Sequence, residues 1–262
     1  MRSTRGKVLS RRLLCLASLL VCALAPVHAR AERRTPTIVC RASLGASRRA
    51  ELSEQLRAIT GLRDLGFDAE GYLRFGAQSP SGGSQSARAL LAAAEAGESL
   101  IILEDASGRA DVAFSRVLEG GWKNGAAGKS SAGKPAAYVV QIDFRDFSHL
   151  MGDRAALDSF NAAWGLMHEI EHAVKDSVDP EGLGAAGECE EAINVMRREC
   201  GLAERAEYFY TPATGAFASE FKTRYVRLAF KQTRADKKPQ RYWLIWYAAL
   251  TGGADSNQLA SR

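Results

Sequence analysis

Apolar and polar positions follow two different periods along this chain, and the changes of period mark its elements. Residues 47–60, SRRAELSEQLRAIT, repeat apolar positions at three- and four-residue spacing, which predicts an amphipathic helix. LRDLGFDAEGYLRFG (62–76) alternates on either side of Asp68–Gly71 and predicts a β-hairpin. A Ser/Gly-rich loop (78–86) leads into ARALLAAAEAGE, a helix of high alanine propensity. Strands are expected at 99–105, at 111–119 and, most strongly, at AAYVVQIDF (136–144). Two helices follow, around 163–175 and 187–201. RYVRLAFKQ (224–232) and RYWLIWYAAL (241–250) then form a terminal hairpin joined by TRADKKPQ. The order of elements predicts an α+β fold, in a single domain over 30–262.

The first segment changes how charge is read. Arg2, Arg5, Lys7, Arg11 and Arg12 precede the apolar run LLCLASLLVCALAPV, and VHA then places small residues at Val27 and Ala29. This is the pattern of an export signal cut after Ala29, too short for a comfortable membrane span. The expected location is therefore periplasmic or secreted, with no stable span after cleavage. Removing those five cations lowers Lys plus Arg from 35 to 30, equal to the 30 acids. A formally neutral chain gives no reason to expect a nucleic-acid partner. Cys40, Cys189 and Cys200 remain. A helix over 188–200 would set the last two roughly 16 Å apart, too far for a bridge. Cys40 could pair with either, or all three could stay as thiols. In the loop 120–134, Gly128, Gly133 and Lys134 mimic a phosphate-binding loop. Pro135 stands where Ser or Thr would hold magnesium, so that reading is rejected.

The chemistry concentrates in WGLMHEIEHAVKD (164–176). Residues four apart lie one above the other on a helix, so His168 and His172 can offer two imidazoles to one zinc ion. Glu169, about 100° round from His168, could reach a water bound there and take its proton. On a helical wheel, Ala163, Leu166, Ile170 and Val174 form a core face. His168, Glu169 and His172 share the opposite side with Gly165, which leaves room for a close approach. Glu171 is expected to be a solvated flank. Trp164, one turn before His168, is expected to be buried near the site.

A catalytic zinc needs a third protein ligand and an open position. The three-histidine continuation of the motif is absent, because Lys175 and Val178 occupy the places of its Gly and His. GECEEAINVMRRECGL (187–202) offers Glu188, Glu190 and Glu191 on a second helix, and His149 is a remote alternative. HExxH followed by a separate helix carrying a glutamate resembles the gluzincins, the thermolysin-like clan of zinc peptidases. The run over 160–205 is also similar to bacterial zincin-like proteins, some of them effectors. The resemblance implies a zincin-like fold and a peptide or protein substrate. It also implies zinc on His168, His172 and a helix glutamate, with Glu169 as general base. Glu190 is favoured because Asn194, at i+4, could support a zinc-bound histidine where Glu191 has Val195 and Glu188 has Ala192. The clan's pattern has Asp at that position, so Asn is a departure. The resemblance further implies that AAYVVQIDF is the sheet edge that pairs with substrate, and that Tyr208, Tyr210, Arg205 or His149 stabilises an oxyanion. No long inhibitory segment is legible between Ala29 and the first helix, which points to narrow specificity. The rival expectations are a structural zinc closed by Cys189, Glu191 or His149, and a metal-free interaction protein. On the wheel Cys189 faces the apolar side, away from Glu190.

Overall fold

The computed structural model describes residues 37–76, 78–119, 137–214, 224–233 and 238–252. The leader expected over 1–29 and the glycine-rich loop 120–134 lie outside them, and Thr35–Arg262 form one compact unit.

The chain opens with β1 (Ile38–Cys40) and α1 (Ala46–Thr60). Gly61 ends α1 at φ 71°, returning its N–H to the Arg57 carbonyl, as a left-handed cap does. A side chain there could not fit, since a Cβ would lie 2.3 Å from the Gly82 carbonyl oxygen. β2 (Gly66–Phe67) and β3 (Leu73–Arg74) form the expected hairpin. α2 (Gln85–Ala96) starts at Ser84, whose side chain accepts from the Ala87 N–H.

β4 (Leu100–Asp105), β5 (Ser115–Glu119) and β6 (Ala137–Ile142) complete a sheet of order β1-β4-β6-β5. β1, β4 and β6 are parallel, and β5 runs antiparallel at the end. AAYVVQIDF is therefore an interior strand, buried along all of Ala137–Ile142, and β5 holds the edge expected of it. The correction has a physical cause: an unbroken apolar run is what a strand covered on both sides needs. β5 is shorter than the pattern implied because Phe114 has φ 60°, and its ring packs 5.3 Å from Phe147 and 5.2 Å from Phe160.

Short helices α3 (Phe144–Ser148) and α4 (Arg154–Asp158) flank β7 (Met151–Gly152). α5 (Ala162–Lys175) and α6 (Glu188–Glu199) follow, then β8 (Glu204–Arg205), β9 (Thr211–Pro212), β10 (Tyr225–Gln232) and β11 (Gln240–Tyr247). β10 and β11 pair antiparallel over their full length, as the terminal hairpin requires. β7 lies against β11, and β8 and β9 against β10.

The fold is α+β with mixed sheets. Ile101, Leu103, Val140 and Ile142 pack with Leu52 and Leu56 of α1, Leu91 of α2, and Trp164, Leu166 and Ile170 of α5. Val226, Leu228, Phe230, Leu244 and Trp246 form a separate apolar cluster on the hairpin. Among the described residues no helix is long and apolar enough to cross a membrane.

Candidate metal centre

Asn161 begins α5 by accepting from the backbone N–H of Ala163 and Trp164, both at 3.1 Å. Asp176 ends it in the left-handed region at φ 56°. That residue turns the chain back, so 177–179 run past the last turn of the helix instead of away from it. α5 is covered on more sides than an amphipathic wheel implies. His168 and Glu169 are buried, Trp164 is enclosed, and Glu171, expected to be solvated, is only 7% exposed beside the Ser177 hydroxyl.

The two histidines are oriented from behind. Nδ1 of His172 lies 2.6 Å from the Ser177 carbonyl oxygen. A carbonyl only accepts, so Nδ1 carries the hydrogen and the neutral ring leaves Nε2 bare. Nδ1 of His168 faces Glu190 Oε2 at 3.3 Å, which sets that ring the same way. The Nε2 atoms are 3.1 Å apart, and Asp179 Oδ1 stands 3.3 Å from that of His168 and 3.5 Å from that of His172. Asp179 Oδ1 is buried and receives no hydrogen bond of good geometry, while Oδ2 accepts from Tyr208 at 2.5 Å.

Three electron-rich atoms thus converge on one point, which is unfavourable unless a cation joins them. Ligands about 2.0–2.1 Å from a tetrahedral zinc lie roughly 3.3 Å from one another. The observed separations, 3.1 to 3.5 Å, fit that group. In the metal-free protein a proton meets the same need. Burial opposes charge on His172, but Asp179 and Cys189 outweigh it and push its pKa up to about 10. His168 is raised in the same way, against its own burial, by Asp179, Cys189 and Glu190. Burial would raise Asp179, but the facing imidazoles of His168 and His172 and the Tyr208 hydroxyl hold it below the usual carboxylate range.

Glu190 is placed differently from the sequence expectation. It does not join the converging atoms but backs His168 from the other ring nitrogen. Arg197 takes its Oε1 and Arg205 donates to its Oε2 at 2.9 Å. Burial disfavours the charged carboxylate, yet the two guanidinium groups hold Glu190 well below its ordinary pKa. Asn194 serves this network, not a histidine: its Oδ1 accepts from Arg197 and from the Arg205 backbone N–H. Glu188 and Glu191 are exposed. His149 is half-buried at the end of α3, outside the group.

Glu169 is buried, and Ser115 Oγ on β5 donates to its Oε1 at 2.8 Å. Burial raises the Glu169 carboxyl, with His168 opposing. Gly165 makes this approach possible, as a Cβ there would lie 2.9 Å from Ser115 Oγ and 3.0 Å from Phe147 Cζ. Tyr208 stacks on His168 with ring centroids 6.0 Å apart, and the Arg205 guanidinium covers its ring at 4.6 Å. Tyr210 is remote from the group and packs on Trp246. Cys189 is fully buried, with Sγ 3.4 Å from both Nδ1 and the carbonyl oxygen of His168. Its sulfur could complete a four-group set with His168, His172 and Asp179.

No family model, curated protein or solved structure matches the chain. The chemistry is therefore read from these residues alone. Asp179 and Ser115 were not legible as site residues. Asp179 follows His172 outside the helix, so no periodicity points to it, although the DP dipeptide after SV marks a turn at that place. Among the described residues Cys40, Cys189 and Cys200 are free thiols, so neither pairing open to Cys40 is formed.

Proposed function

We propose that the protein is an exported zinc metallopeptidase of the HExxH type with a zincin-like arrangement, the metal held by His168, His172 and Asp179. One observation carries the reading: the two Nε2 atoms and a buried carboxylate oxygen that makes no hydrogen bond of good geometry converge at tetrahedral spacing, with a glutamate next in sequence to the first histidine. Zinc held there would polarise a carbonyl and lower the pKa of a water. The chain's own residues supply the rest. Glu169 accepts the water's proton and passes it to the leaving amine; its burial makes it a better base than a solvated carboxylate. Ser115 fixes the orientation of that carboxylate. Tyr208 holds Asp179 and, with its hydroxyl so engaged, is a ligand-orienting group. Glu190, Arg197 and Arg205 hold His168. The edge strand β5 leads away from Ser115 and offers backbone groups to an extended peptide, the means by which a polypeptide substrate would be aligned.

Cys189 supports a second reading. If its sulfur joined the three ligands, the site would be closed, and the zinc would be structural in a binding protein. Its position beside Nδ1, the ring nitrogen turned away from Asp179, favours the open site. Zinc per chain, measured in the purified protein and in H168A, D179A and C189A, separates the readings. The peptidase reading expects about one zinc in the parent and in C189A, loss in H168A and D179A, and peptide hydrolysis abolished by E169Q. Loss of zinc in C189A, without hydrolysis in the parent, would establish the closed site. A parent without zinc would overturn both.

A further inference from the structure

We infer that a second site, for a small organic anion, lies where α1 faces the β2–β3 hairpin. A cavity of about 430 Å³ opens there, lined by residues that take no part in the metal centre. Arg49, Ser53 and Arg57 stand at i, i+4 and i+8 on one stripe of α1, and both arginines line the same space. Among the described residues neither has a carboxylate partner. Arg49 Nε is buried without a hydrogen bond. Arg57 is held by its own Nε, which donates to the Leu65 carbonyl at 2.6 Å. Gly66 lets it lie close to the backbone, since a Cβ there would be 3.1 Å from Nη2. The acid in the lining, Asp68, is already engaged: Arg74 donates to Oδ2 at 2.7 Å and the Tyr72 N–H to Oδ1 at 2.8 Å.

Arg57 is exposed and Arg49 half-buried, with its Nε enclosed and without a partner, and a guanidinium is best matched by the paired oxygens of a carboxylate or phosphate. The cavity falls within the range of about 300–1,000 Å³ common for small-molecule sites. Phe67 and Ala50 add an apolar wall. The ligand class is therefore a carboxylate or phosphate carried on a short apolar body.

Isothermal titration of the purified full chain with phenyl phosphate, benzoate and inorganic phosphate tests this. Saturable binding of phenyl phosphate or benzoate is expected, tighter than that of inorganic phosphate. Binding should weaken at least about tenfold in Arg49→Gln and in Arg57→Gln, and Arg49→Lys should retain part of it. Preference for phenyl phosphate assigns a phosphate monoester, and preference for benzoate a carboxylate. If Arg57→Gln loses its native circular dichroism, Arg49→Gln and Arg57→Lys carry the comparison. No saturable binding of any probe, or binding unchanged in folded Arg49→Gln, would overturn the proposal. Zinc content is read independently, so this result and that for the metal centre do not depend on one another.

Discussion

Glu190 and His168 meet at 3.3 Å through Oε2 and Nδ1, on the side of the ring opposite Asp179. In the proposed metal centre the glutamate orients a histidine, and the aspartate takes the ligand position. Glu190→Gln should weaken zinc binding by about 10–100-fold, whereas Asp179→Ala should abolish stoichiometric zinc. Competition with a chelator of known affinity measures both. Equal losses in the two variants would refute the division of roles.

The same substitution should also affect folding. Arg197 is 1% exposed and depends on Glu190 for its charge partner. Removing one member of a buried pair costs about 3–5 kcal/mol. Urea unfolding of metal-free Glu190→Gln should show a loss of that order, and a loss below about 1 kcal/mol would mean that the network is solvated in solution.

Gly165→Ala tests the contact between α5 and β5. Alanine favours a helix, but its methyl group would force Ser115 and Phe147 away. Net destabilisation of about 1–3 kcal/mol is expected, together with reduced hydrolysis as Glu169 loses its hydrogen bond. A rise in melting temperature would show that β5 moves without cost.

Zinc binding should release protons. Burial opposes charge on His172, but Asp179 and Cys189 push its pKa up to about 10 in the metal-free protein, so its pocket is expected to hold a proton at pH 7. Zinc requires the bare nitrogen, and its affinity should rise with pH up to that value. Metal-free stability should run the other way, complete below about pH 6.5 and declining as pH rises towards 10. Calorimetry in two buffers of different ionisation enthalpy should find at least one proton released per zinc. None released would contradict the arrangement.

Cys40 offers a separate titration. Burial pushes its thiol up to about 12, with Arg49 opposing. The unfolded thiol ionises near about 8.5, so folding loses stability as pH rises from there towards 12. At pH 8 a thiol reagent should modify Cys40 slowly in the native protein and rapidly in denaturant. Fast native reaction would show an accessible thiolate.

The helices at 46–60, 85–96 and 162–175, the hairpin at 66–74 and the terminal β10–β11 pair were legible because local period and turn residues determine them. Sheet order was not, because pairing depends on distant segments: AAYVVQIDF reads equally well as an edge or as a centre until β5 is placed beside it. The histidine pair was legible for the same local reason as the helices. Asp179 was hidden by the left-handed turn at Asp176, which ends the period that would have pointed to it. Glu171 and Glu190 looked solvated or ligating on a single helical wheel. Their surroundings come from Ser177 and from Arg197 and Arg205, which a wheel for one helix does not contain.

Asp176 has a further consequence. By reversing the chain at once, it confines His168, His172 and Asp179, along with the Ser177 carbonyl behind His172, to one short stretch of sequence. The ring that a metal would close is a local chelate, and loop-closure entropy grows only with the logarithm of span. In the proposed site, grasping an ion and steering it would therefore belong to different ranges of the chain: the first to one helix end and its turn, the second to α6 and β8, which must arrive from further along.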